Sequence, residues 1–93
     1  MSNITGAAKL VASTDQVSCD LGGEAAMLHL KTGVYYGLNP VGARIWSLIQ
    51  EPITFSELHE ILTDEYDVDP VVLESDLRNL LSELAEQDLI GIT

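Results

Sequence analysis

The chain is short of most residues that build chemistry. It has one cysteine, Cys19, among 93 residues, so it can form no internal disulfide. It has two histidines, His29 and His59, and neither stands at a short ligand spacing from the other or from Cys19. That excludes the paired CxxC and HxxxH arrangements that hold zinc. No apolar run approaches the roughly 20 residues needed to cross a bilayer. Residues 1–10, MSNITGAAKL, lack the basic start and apolar core of a secretory signal. These absences lead us to expect a protein of the reducing cytoplasm that does not associate with membranes. Positive charge is also scarce: four Lys/Arg oppose fifteen Asp/Glu, for a net charge of −11. Residues 51–93 carry twelve of those acids against Arg78 alone. Such a field repels phosphate backbones and anionic lipid and favours partners with basic residues.

What is present falls into two halves of different period. Residues 1–9 are small and polar and read as a flexible N-terminal tail, leaving residues 10–93 as one domain. QVSCDL (Gln16–Leu21) alternates Val17, Cys19 and Leu21, which marks Cys19 as a small buried hydrophobe. Gly22-Gly23 is a hairpin turn signal. EAAMLHL (Glu24–Leu30) sets Ala26, Leu28 and Leu30 on one face and Met27 and His29 on the other, lesser face. Lys31-Thr32-Gly33 makes a second turn, and VYYGL (Val34–Leu38) forms the third strand, with Val34, Tyr36 and Leu38 on one face. A weaker pattern at Lys9–Ser13 extends the first strand.

From Asn39 the period becomes helical. Asn39-Pro40 is an N-cap followed by a proline suited to the first helical position. Val41, Ile45, Leu48 and Ile49 line one face, with Trp46 beside them, and Pro52 ends the helix. Thr54-x-x-Glu57 is a capping box for a second helix. Asp69-Pro70 starts a third, which runs to about Gln87 on a stripe of Leu73, Leu77, Leu80, Leu81 and Leu84. LIGIT at the end adds a short extended piece. The order predicts an α+β fold, winged-helix-like: a three-stranded antiparallel sheet followed by three helices.

A winged helix normally reads DNA, but here the third helix carries Glu74, Asp76, Glu83 and Glu86 against Arg78, so we expect no nucleic-acid partner. The acidic stretch DEYDVDPVVLES lacks the glycine of a calcium loop, and no phosphate-binding glycine motif occurs. We therefore expect no catalytic residues, no metal and no cofactor. A small sheet with an open edge has another use, which is to accept a strand from a partner. Val34–Leu38 is the candidate edge. Its tyrosines offer rigid rings with polar tips; Tyr36 reads as core, and Tyr35 as either a contact or an outer-face residue.

The stretches TGVYYGLNPVGARIW and DVDPVVLESDLRNLLSELAEQDLI, in this order and spacing, resemble the PqqD-like family, the RiPP recognition elements, over roughly residues 15–90. The short stand-alone form is most similar to the recognition proteins of lasso-peptide biosynthesis. The resemblance implies a non-catalytic PqqD-like peptide-binding domain over residues 10–93, a monomer in solution. Its partner would be the leader of a ribosomal precursor peptide, which adds as a strand to the third β-strand against the third helix. Presentation to a leader peptidase and an ATP-dependent cyclase follows. The alternatives within the resemblance are the peptide chaperone of pyrroloquinoline quinone synthesis and a recognition element for another RiPP enzyme. Carried onto this chain, the peptide-binding residues are Val34, Tyr35, Tyr36, Gly37 and Leu38 on the edge. On the helix they are Val72, Leu73, Asp76, Leu77 and Leu80, with Asp76 placed to pair with a basic residue of the leader.

Overall fold

Local sequence sets the element boundaries. The computed structural model describes residues 4–93. The order is β1 (Lys9–Ala12), β2 (Gln16–Asp20), β3 (Ala25–His29), β4 (Tyr35–Leu38), α1 (Pro40–Leu48), β5 (Ile53–Thr54), α2 (Phe55–Glu65), α3 (Pro70–Glu86) and β6 (Ile90–Ile92). Gly22 and Gly23 turn the β2–β3 hairpin at φ 73° and 96°, a region that side chains with a Cβ avoid. Each helix starts at its expected cap. The Asn39 side chain accepts from Gly42 N–H, and Asp69 accepts from Val71 N–H. Thr54 and Glu57 complete a reciprocal capping box, in which backbone bonds from Thr54 hold the Glu57 carboxyl below the usual range. Helix α3 ends where Asp88 adopts φ 58° and Leu89 N–H returns to the Leu84 carbonyl at 2.9 Å, a turn that asparagine and aspartate tolerate better than most residues.

The meander β2-β3-β4 forms as expected, antiparallel throughout, with Val17, Leu28 and Tyr35 in one cross-strand row. A second antiparallel sheet was not expected. Strand β1 does not extend β2; it lies between β5 and β6 in the order β5-β1-β6 and draws the two ends of the chain together. The core lies between the meander and the helices. Met27, Ile45, Ile49, Leu58, Leu62, Leu77, Leu81, Leu84 and Leu89 are almost wholly removed from water. Each such side chain contributes about 1.5–3 kcal/mol by burial.

Three expectations need correction. The inward face of β3 is Ala25, Met27 and His29, whereas Leu28 and Leu30 are exposed. Cys19, with Val17 and Leu21, lies on the same outward face and is exposed rather than buried. Alternation groups residues by face, but which group meets the helices depends on what caps the polar member. Here His29 is buried because all its polar atoms are engaged. Its Nδ1 accepts from Lys31 N–H and Thr32 N–H at 3.2 and 3.3 Å, so Nε2 carries the proton and donates to Asp88 at 3.1 Å. The third correction concerns the tail. Residues 1–3 lie outside the described residues, but Ile4 and Ala8 are buried and Lys9 begins β1. Arg78 holds this segment by donating to the Ile4 carbonyl, while its guanidinium lies 4.6 Å from the centre of the Phe55 ring. Glu74 pairs with the same arginine at 3.3 Å.

Candidate peptide-binding cleft

Strand β4 is an edge. Among the described residues its only strand partner is β3, and the pairing decides which of its backbone groups face away from the sheet. His29 N–H donates to the Val34 carbonyl at 2.9 Å, which makes positions 29 and 34 a hydrogen-bonded pair. In an antiparallel ladder such pairs recur at every second residue. Tyr36 and Leu38 therefore turn their backbone groups to β3, and Tyr35 and Gly37 turn theirs outward. Side chains alternate the other way: Tyr36 and Leu38 lean toward the helices, and Tyr35 and Gly37 sit on the outer face.

Beside this edge, β4 and α3 form a cleft of about 540 Å³. From β4 it is lined by Tyr36, Gly37 and Leu38, and from α3 by Val72, Leu73, Asp76, Leu77 and Leu80. The helical residues meet there because positions 72, 73, 76, 77 and 80 share one face of a 3.6-residue helix. Eight of the ten residues expected from sequence thus come together. Val34 and Tyr35 do not line the cleft, and the Tyr35 side chain is 68% exposed on the opposite face. The sequence reading missed one wall. Val41, Gly42 and Ile45 of α1 and its cap Asn39, together with Tyr66 and Val68 from the α2–α3 connection, complete the lining. The signal was present in part, since Val41 and Ile45 belong to the apolar stripe of α1, but a stripe alone does not separate core from cleft.

The cleft is mostly apolar. Val41, Val68 and Val72 at its rim are 39–55% exposed, an apolar surface that a guest would remove from water. Asp76 is its acidic residue, and none of the described ion pairs includes it. One turn beyond Leu80, Glu83 accepts a hydrogen bond from the Tyr36 hydroxyl at 2.6 Å, so β4 is tied to α3. Burial, reinforced by the Glu83 carboxylate, pushes the Tyr36 hydroxyl up to about 12. The opposite edge of the meander has a depression of similar volume beside α1. Ser18, Asp20, Glu24, Arg44, Ser47 and Gln50 make its lining more polar than that of the cleft, and it offers a guest less apolar burial. Among the described residues, no group of three or more His, Cys, Asp or Glu is placed to hold a metal ion, and no helix is long and apolar enough to cross a membrane.

The described residues thus present a strand edge along an apolar, helix-walled cleft. Residues 24–90 match the family described as coenzyme PQQ synthesis protein D (PqqD), and the chain belongs to that family of recognition proteins. It is similar to a solved structure described as TbiB1 in complex with the TbiA(beta) leader peptide. The identity is 41%, the alignment covers 87% of this chain and 94% of that one, and the TM-score is 0.82. No curated protein matches the chain.

Proposed function

We propose that this protein is a non-catalytic adaptor that binds the leader segment of a ribosomally made precursor peptide. The leader adds as a strand to the free edge of β4, with alternate side chains in the cleft against α3. It is then presented to the leader peptidase and ATP-dependent cyclase of lasso-peptide maturation, in the cytoplasm and without a cofactor. The observation that carries this reading is the coincidence of outward backbone groups at Tyr35 and Gly37 with the apolar cleft beside them. Main-chain bonds of that kind supply affinity, and the cleft supplies selection among side chains. The similarity to a leader-bound recognition protein supports the same occupant. The family match favours one second reading, a peptide chaperone of pyrroloquinoline quinone synthesis.

The experiment is calorimetric titration of the purified protein with the synthetic leader of the precursor encoded beside its gene, and with a scrambled peptide of the same composition. Saturable binding of the leader alone supports the adaptor. Equal binding of both peptides overturns it. Adding the neighbouring peptidase and cyclase then separates the two readings, because only the lasso reading requires a ternary complex with them.

A further inference from the structure

Gly37 has no reason within the fold to be glycine. It sits inside β4, where glycine weakens a strand by its entropy and by leaving nothing to pack. Its φ lies outside the left-handed region, and a Cβ built on it meets nothing within 4 Å. Glycine at such a site often marks the close approach of something outside the chain. The space it leaves is a recess of about 280 Å³ on the outer face of the meander, which adjoins the cleft at Gly37, Leu38 and Asn39. Leu21, Ala26 and Tyr35 give the recess apolar sides and floor, and Ala26 stands directly across the ladder from Gly37. Glu24 and Asn39 form its polar lip. Asn39 is occupied in capping α1. Glu24 is exposed, and none of the described ion pairs includes it.

We infer that the guest strand is read on both of its faces, and that the outer-face reader is this recess, which takes a lysine or arginine side chain of the guest. The inference rests on the strand-addition reading above. A strand added to β4 runs about 4.8 Å from it and projects every second side chain onto the outer face. A residue beside Gly37 meets no side chain on β4 and can cross it to reach Ala26. Only a long side chain spans that distance. An aliphatic stem suits the apolar floor, a cation can rest on the Tyr35 ring that lines the recess, and the Glu24 carboxylate at the lip meets the charge. The excess of acids over bases in the chain favours the same sign of guest.

The test is selection from a random linear-peptide display library on the purified wild-type protein and on Glu24→Lys, Gly37→Val, Asp76→Asn and Val72→Asp, each first checked for an unchanged circular dichroism spectrum. Wild type should enrich peptides with Lys or Arg at one fixed offset from the apolar anchors of the cleft. Glu24→Lys should replace that preference by Asp or Glu, Gly37→Val should erase it, and Asp76→Asn should leave it in place. A selected peptide, resynthesised, should bind Glu24→Gln about two- to fivefold more weakly, the range for an exposed ion pair. Enrichment without a fixed basic position, or with one that Glu24→Lys and Gly37→Val leave unchanged, overturns the recess while strand addition stands. No enrichment of any peptide overturns both.

Discussion

The hydroxyl of Tyr36 on β4 donates to Glu83 on α3 at 2.6 Å, across elements 47 residues apart in the chain. The two residues stand at one end of the cleft, so the bond holds the strand edge and the helix at a set separation. Preorganisation of this kind lowers the cost of ordering a binding site.

Burial of the Tyr36 hydroxyl, together with its bond to Glu83, makes stability depend on alkaline pH. Folding raises the Tyr36 pKa from 10.0 to about 12, so the folded state keeps its proton longer than the unfolded one. The stabilisation is fully present below pH 10 and is lost as pH rises through about 12. Urea unfolding of wild type and Tyr36→Phe at a series of pH values checks this. The difference between the two proteins should be constant up to pH 10 and shrink above it, and an unchanging difference refutes the assignment.

In the proposed strand addition, Tyr35 serves through its backbone at the edge. Its N–H points away from β3, so Tyr35→Pro removes an outward donor without breaking the β3–β4 ladder, and proline is tolerated on edge strands. Tyr35→Pro should weaken leader binding about tenfold, the upper range for one hydrogen bond, while the melting temperature stays near wild type. Tyr35→Ala, which keeps the N–H, should bind more tightly than Tyr35→Pro. The reverse order, read by calorimetry, counts against strand addition.

Val72 and Leu77 share the cleft but not the same burden. Val72 is 55% exposed and Leu77 is 1% exposed. Val72→Asp should reduce leader affinity with little change in unfolding free energy. Leu77→Ala opens a cavity in the core and should cost about 2–5 kcal/mol. Denaturant curves beside binding isotherms for both variants separate the two roles, and equal stability losses would contradict the geometry.

His29→Ala should be the most damaging change in the meander. It leaves the Lys31 and Thr32 N–H groups without their acceptor, breaks the link to Asp88 and opens a void beneath β3. A loss of about 2–4 kcal/mol is expected in urea unfolding. A cost below that of a typical surface substitution, within about 0.5 kcal/mol, shows that the buried imidazole is not holding the turn.

The helices were legible because their signals are local. Asn39-Pro40, the Thr54–Glu57 box and Asp69-Pro70 each act within one turn, and each stands as the cap of its helix. The cleft is legible in part, because the family resemblance points to the third helix and helical spacing then gathers Val72, Asp76 and Leu80 on one flank of it. Its α1 wall is not, since Val41 and Ile45 look like any apolar stripe until α1 is set against β4. The inner face of the meander is not legible from alternation because it holds a histidine, and the hydrogen-bond partners that satisfy that histidine include Asp88, 59 residues away. Ile4 reads as tail in the sequence because the bond that holds its carbonyl comes from Arg78, 74 residues further along the chain.

By itself, then, the sequence determined the strands, turns, caps and helical stripes, since these depend on backbone sterics and on side chains a few residues apart. The tertiary structure alone decided which face of the meander meets the helices, which groups of β4 face away from β3, and that β1, β5 and β6 form a second sheet. Those outcomes depend on the pairing of distant segments, where a buried polar group is acceptable only if its partner arrives from elsewhere in the chain.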